Sequence, residues 1–315
     1  ATFASIGNAV GFDNCGINTV TSDAPATFPV GTTVVTWTAE DFQGNTVSCT
    51  QIITVADIEL PTALCQDIIV QLDAAGAVTI AGIDVDNGSD DACGIATYNV
   101  VPASFNCGNI GANTVILTVE DNNGNESTCS AVVTVQDITS PVATCQDVTL
   151  QLDVDGNVML NTILVDNGSS DACGIASLSL SQTAFDCSDV GVQSVTMTVT
   201  DVNGNSSTCT ADITVEDNVA PAAVCQNITV QLDGAGNASI VAADIDNGSD
   251  DACGIASLSA STTSFDCSNV GVNSVTMTVT DNNGNMSTCS ADVTVEDNVA
   301  PTAVCQNLTI QLDAA

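Results

Sequence analysis

Cysteine recurs in this chain with a fixed step. Cys65, Cys145, Cys225 and Cys305 stand 80 residues apart, as do Cys93, Cys173 and Cys253; Cys107, Cys187 and Cys267; and Cys129, Cys209 and Cys289. Pro61, Pro141, Pro221 and Pro301 keep the same step, and two copies are nearly interchangeable: VGVQSVTMTVTDVNGNSSTC from Val190 to Cys209, and VGVNSVTMTVTDNNGNMSTC from Val270 to Cys289. A sequence that repeats itself this closely folds as an array of like units, each with the same apolar pattern and hence the same core. Cutting after the acid that closes each TVxD run (Asp57, Asp137, Asp217, Asp297) gives a partial unit at 1–57 and full units at 58–137, 138–217 and 218–297. The opening strand of a further unit then occupies 298–315. Residue 1 falls in mid-repeat, so the segment reads as a window on a longer chain. Linkers such as EDNVAP are too short to be flexible tethers, so neighbouring units are expected to touch and to line up as an extended rod.

Each unit ends in two strands. Val195, Met197 and Val199 alternate with Thr196, Thr198 and Thr200. Cys209, Ala211, Ile213 and Val215 alternate with Thr210, Asp212 and Thr214. Period-two alternation of β-branched residues marks half-buried strands, and Asn203-Gly204 between them is a strong hairpin signal. An opening hairpin is expected as well, ITVQLD and ASIVAAD joined through Gly234 to Gly236. In that first strand Cys225 has the opposite parity to Ile228, Val230 and Leu232, which calls for a bulge or a switch of sheet near the cysteine. Short antiparallel strands in a unit of this length predict an all-β fold of tandem immunoglobulin-like β-sandwiches.

The chain has 38 Asp and Glu and no Lys, Arg or His, a formal charge of -38. That sign excludes nucleic acid as a partner, because phosphate binding needs cations on the protein, and it argues against an anionic membrane surface. With 44% hydrophobic residues in strand-like runs the acids sit on a folded surface, and no side-chain cation exists to neutralise them. Regular, widely spaced cysteines with no histidine read as a disulfide framework in an oxidising, extracellular compartment. No apolar run reaches the ~18 residues needed to span a membrane.

Phe28 to Asp57 read FPVGTTVVTWTAEDFQGNTVSCTQIITVAD, and Asp13 to Gly16 read DNCG. This resembles the hyalin repeat (HYR) family, which shares DNCG, FPVGTTTVTYTATDxxGN and a late cysteine. The later units keep DACG, TVTDxNGN and STC, and replace FPVG with a cysteine-bearing run such as FDCSDVG at Phe185 to Gly191. The resemblance implies an immunoglobulin-like fold in extracellular adhesion proteins. The near-identical tandem array is also similar to the giant repetitive adhesins of bacterial surfaces, including those of gliding bacteria.

Four cysteines per unit allow three connectivities. The first unit has Cys15 and Cys49, the counterparts of Cys93 and Cys129, and no third-position cysteine. On that comparison the expected bonds are Cys15–Cys49, Cys93–Cys129, Cys173–Cys209 and Cys253–Cys289. Cys65–Cys107, Cys145–Cys187 and Cys225–Cys267 form the second set, and Cys305 pairs beyond residue 315. Each bridge is worth ~2–4 kcal/mol to a unit with few aromatics.

The acids cluster. DNGSDDACG carries Asp86, Asp90 and Asp91, the hairpin DNNGN carries Asp121, Asn123 and Asn125, and the linker carries Asp57. The counterparts are Asp137, Asp166, Asp171 and Asp201 in the next unit, where Ser170 replaces one acid, and Asp217, Asp246, Asp250, Asp251 and Asp281 in the one after. In an immunoglobulin-like topology the linker, the loop before the third strand and the last hairpin share one end. These carboxylates are therefore expected to meet at each junction and to hold calcium, a hard cation that takes six to eight oxygens. The arrangement resembles the cadherin solution. DNNGN is not an EF-hand loop, and turn chemistry alone accounts for Asn123-Gly124.

Catalysis has no support: there is no His or Lys to activate a nucleophile, and every feature recurs in every unit. The favoured reading is a structural, adhesive stalk or filament on a cell surface, its partners the other repeats and copies of the same protein. An array of carbohydrate-binding modules is the alternative. It calls for exposed stacking aromatics, whereas the one Trp, Trp37, lies on a core-type strand and the one Tyr, Tyr98, is at a non-equivalent position. Ice binding through the Thr rows is weaker still, because such rows are the ordinary solvent face of a twisted sheet.

Overall fold

The computed structural model describes residues 6–311. The chain divides into two compact units, residues 1–139 and 140–315, described separately below.

In the first unit, β1 (Ile17–Ser22), β2 (Gly31–Asp41) and β3 (Thr46–Val55) form an antiparallel sheet in the order β1-β2-β3. A fuller set follows: β4 (Ile68–Gln71), β5 (Ala77–Thr79), β6 (Ile95–Val101), β7 (Ser104–Asn106), β8 (Gly111–Asp121) and β9 (Glu126–Gln136). One layer is the four-stranded sheet β4-β9-β8-β6, and the other is the two-stranded β5-β7. The alternation read from sequence sets the faces. Val115, Leu117 and Val119 on β8 and Ala131, Val133 and Val135 on β9 are buried. Phe105 from β7 is buried as well, as are Leu72, Ile80 and Val85. Side chains such as these contribute ~1.5–3 kcal/mol each on burial.

The second unit repeats this plan twice. β10 (Val148–Gln151), β11 (Asn157–Met159), β12 (Ile175–Leu180), β13 (Ala184–Asp186), β14 (Gly191–Asp201) and β15 (Ser206–Glu216) form the sheets β10-β15-β14-β12 and β11-β13. β16 (Ile228–Gln231), β17 (Asn237–Ser239), β18 (Ile255–Ala260), β19 (Ser264–Asp266), β20 (Gly271–Asp281) and β21 (Met286–Glu296) form β16-β21-β20-β18 and β17-β19. Each set has its own core, around Val195, Met197 and Ile213 in one and Val275, Met277 and Val293 in the other. These are immunoglobulin-like sandwiches in tandem.

The closing hairpin is as the sequence predicts. β20 pairs with β21 from Gly271↔Val295 to Thr280↔Met286, and the turn between them places Gly284 at φ +95, where glycine alone is unstrained. The opening hairpin is not. Gly236 does make a tight turn on Asp233, but β16 leaves it to pair in parallel with β21, whereas β17 pairs with β19 in the other layer. Two strands that pack face to face through the core are not hydrogen-bonded to each other, and period-two alternation is the same in both arrangements. The parity break at Cys225 marks the switch of sheet: Cys225 bridges to Asp246, and three residues later the chain joins β21.

The cysteines pair differently from the expectation. The bonds are Cys65–Cys129, Cys145–Cys209 and Cys225–Cys289, each tying the first strand of a repeat to its last, together with Cys187–Cys253. Cys107 and Cys173 are also disulfide-bonded, whereas Cys15, Cys49, Cys93, Cys267 and Cys305 are free. The reason is distance along the long hairpin. Cys253 precedes β18, whose Ile255 pairs with Asp281 at the hairpin turn. Cys267 precedes Gly271, which pairs with Val295 at the opposite end. The eleven residues of β20 hold these two ends ~35 Å apart. Cys289 faces Met277 in mid-strand, within reach of Cys225 and of neither loop cysteine. The partial repeat 1–57 points to the wrong pairing because its Cys49 matches Cys129, whose partner Cys65 has no counterpart in residues 1–57.

Candidate functional site at the repeat junction

Asp217 ends β15's run and starts the linker into the next repeat. It is 7% exposed. Its Oδ1 accepts the Val219 N–H at 3.0 Å, and its backbone carbonyl accepts Asn285 Nδ2 at 3.0 Å. The linker is held again at Pro221, whose carbonyl accepts the Ser287 hydroxyl. Both clamps come from the closing hairpin of the following repeat, because Asn285 and Ser287 flank the start of β21. Ligand-bearing atoms of Asp217, Asp251 and Cys253 lie within 4.8 Å of one another, with Asp251 Oδ1 accepting the Cys253 N–H at 2.8 Å.

Cys253 reaches across to the preceding repeat. It packs against the core of 138–217 and bonds to Cys187, which opens a one-turn 3-10 segment capped by Asp186. Asp186 accepts both the Ser188 hydroxyl and its N–H, and these bonds hold its pKa below the ordinary carboxylate value. The opposing wall is Gly156, at φ +73, where an added Cβ would come 2.6 Å from Cys187 Sγ and 3.2 Å from Ala252 Cβ. Only glycine admits the bridge there.

A disulfide sulfur has no proton to donate. Asp217 Oδ2 has no hydrogen-bond partner among the described residues, and a buried carboxylate oxygen left so is costly. At the junction of 1–57 with 58–137 the same positions are Asp57, Asp91 and Cys93, and Asn125 Nδ2 again donates to the linker acid's carbonyl, at 3.4 Å. Here FPVG stands where later repeats carry the third cysteine, so Cys93 is a thiol. The Asp57 carboxylate beside it, with burial adding, pushes the Cys93 pKa up.

The junction therefore unites Asp57 with Asp91, and Asp217 with Asp251. Asp86 and Asp121, with their counterparts Asp166, Asp246, Asp201 and Asp281, are engaged locally. Asp121, Asp201 and Asp281, each 1% exposed, accept the backbone N–H groups and the side-chain amide of the residues that follow them, Asn123 and Asn125 in the first case. Burial raises their pKa values, but these bonds outweigh it and the net shift is downward. Asp86, Asp166 and Asp246 accept the Ser89, Ser169 and Ser249 N–H groups in tight turns. Asp90 and Asp250 are exposed and pair through backbone with Thr62 and Ala222. Asp171 accepts the Cys173 N–H, and Asp137, 9% exposed, accepts the Thr139 N–H. Sequence reasoning missed the loop cysteines as junction residues. The available signal was their adjacency to the acids already assigned there: Asp251 lies two residues before Cys253.

Residues 7–55 match the HYR domain family. Curated proteins yield no match. Among solved structures the chain is similar to Drosophila N-cadherin EC1-4 (14% identity, 86% of this chain and 85% of that one, TM-score 0.30). It is also similar to the Protocadherin GammaB4 extracellular domain (15%, 84% and 53%, 0.31) and to a three-Ig titin fragment (10%, 75% and 98%, 0.31).

Proposed function

We propose that this chain is a load-bearing repeat region of an extracellular adhesive stalk or filament, with domains at 58–137, 138–217 and 218–297 and partial ones at 1–57 and 298–315. The observation that carries the reading is the Cys187–Cys253 bond between successive repeats. A binding module needs no covalent tie to its neighbour, whereas a chain under tension gains a second connection at its weakest point, the linker. The disulfides support an oxidising, extracellular compartment. Among the described residues no helix is long and apolar enough to cross a membrane.

Calcium fits the same junction. Asp217 and Asp251 present two carboxylates in a chain with no basic side chain, one oxygen of Asp217 is buried without a hydrogen-bond partner among the described residues, and the sulfur nearby is tied up in a disulfide. Two like charges ~4 Å apart repel by ~4 kcal/mol at an effective dielectric near 20. Asp217 and Asp251, and Asp57 and Asp91 at the earlier junction, would hold the ion, which supplies positive charge and binds the two repeats together. Isothermal titration with calcium and melting with calcium or excess chelator test this. A higher melting temperature in calcium is expected, and identical curves with no binding heat overturn the metal.

Force spectroscopy tests the stalk. In the oxidised chain only the segment from Cys209 to Cys225 extends between one bridged repeat and the next, at most about 55 Å. After reduction each repeat should release about 280 Å. Equal step lengths in the two states would remove the mechanical reading.

A further inference from the structure

The face of 218–297 that carries Cys267 repeats the face of 138–217 that carries Cys187, but it stands uncovered. Cys187 and Cys267 each open a 3-10 turn capped by an aspartate, and each sulfur lies 3.8 Å from the carbonyl of a glycine, Gly156 or Gly236. Around Gly156 the space is filled by Ala252 and Cys253 of the next repeat. Around Gly236 an added Cβ would meet the Cys267 sulfur and nothing else within 4 Å. Burial follows the same contrast. Asp217 is 7% exposed and its counterpart Asp297 is open to solvent; Val190 packs on its core, whereas Val270 is 53% exposed. What remains is a groove of about 640 Å³ between the Asp233–Gly236 turn, Cys267 and the segment from Asp297 to Thr302.

We propose that this groove seats the Asp-Ala-Cys-Gly loop of a following repeat of the same polypeptide, and that Cys267 forms a disulfide with that loop's cysteine. Residues 298–311, NVAPTAVCQNLTIQ, argue for this occupant: they repeat 218–231, NVAPAAVCQNITVQ, the segment that leads into the loop of Cys253. The loop cysteines a second molecule could bring are Cys15 and Cys93; Cys15 stands in Asp-Asn-Cys-Gly rather than Asp-Ala-Cys-Gly, and Cys93's side of its repeat already meets the linker at Asp57. As the bond forms, two thiols lose two protons and two electrons, and a small-molecule disulfide such as oxidised glutathione is reduced to two thiols. The proposal rests on the reading of the chain as a covalently joined array. Its failure is distinguishable from the failure of that reading, because Cys187–Cys253 is scored in the same sample.

The experiment appends residues 236–297 after Ala315, completing one more repeat, with the appended copy of Cys267 replaced by serine so that the peptide of Cys267 is unique, and oxidises the chain in a glutathione buffer. A non-reducing peptide map with an Asp- or Glu-directed protease should place Cys267 in one peptide with the cysteine of the appended loop, and maleimide labelling of Cys267, expected in the 1–315 chain where it is free and exposed, should be lost. With Cys267→Ser the appended loop's cysteine should label instead. The bond from Cys305 to the last appended cysteine reports that the added repeat has folded. If that bond forms while Cys267 still labels, or if Cys267 links two chains, the proposal is wrong. Appending residues 156–217 should give the same protection, and labelling of Cys267 in both extended chains overturns the proposal.

Discussion

The bonds Cys145–Cys209, Cys187–Cys253 and Cys225–Cys289 overlap in sequence, and the overlap has a mechanical consequence. Every backbone bond from Cys145 to Cys289 lies inside at least one disulfide-closed loop, so no single cut in that stretch severs the chain. Without Cys187–Cys253 the segment between Cys209 and Cys225 would be the only connection between two bridged repeats. The chain has no Lys or Arg, so Asn218→Arg, at an exposed linker position, creates a single tryptic site. After cleavage the fragments 1–218 and 219–315 should migrate as one species on a non-reducing gel and separate on reduction. Under load the route changes from Cys209–Cys225 to Cys209 back to Cys187, across the bridge, and Cys253 back to Cys225. That detour is about 50 residues long and extends to at most about 175 Å, against about 55 Å for the intact linker. A nicked molecule should therefore lengthen by about 120 Å before it breaks. Adding Cys187→Ser and Cys253→Ser should let the nicked halves part without reductant. It should also cost the paired repeats up to about 4 kcal/mol, the chain entropy of a loop of this length. Fragments that separate before reduction, or that stay joined in the double serine variant, would refute the reasoning.

Other outcomes follow from the turns and the first junction. Asp281→Ala strips the acceptor from the Asn283 and Asn285 N–H groups and should lower the stability of 218–297 by about 2–4 kcal/mol in denaturant titration. The carboxylates of Asp121, Asp201 and Asp281 have folded pKa values below their unfolded ones. Their contribution is thus complete above the unfolded value near 4 and is lost as pH falls through the folded values. Melting temperature should drop steeply below about pH 4, and less so in Asp281→Asn. Asp57→Asn removes the charge that raises the Cys93 pKa and should speed maleimide labelling of Cys93 at pH 8, read by mass spectrometry against Cys15 in the same sample.

Much of this molecule follows from its sequence alone. The step between cysteines announces tandem units, and the alternation Val275, Met277, Val279 against Thr276, Thr278, Thr280 dictates which face of β20 is buried, because side chains on a strand alternate whatever the neighbours are. Asn-Gly forms the turn because its glycine tolerates positive φ, and the odd parity of Cys225 marks a strand that changes layers. These are local consequences of backbone geometry. Which cysteines meet is not local. Cys225 and Cys289 are 64 residues apart and Cys187 and Cys253 are 66, so spacing cannot distinguish a bond inside a repeat from one between repeats. What decides is that β20 and β21 set the loop cysteines at opposite ends of a rigid hairpin, while the short linker brings the next repeat's loop against Gly156. In the same way, composition shows that the acids have no cationic side chain to pair with. Only packing brings Asp217 and Asp251 together at the junction and commits Asp281 to its own turn, where two backbone N–H groups and a side-chain amide engage both of its oxygens.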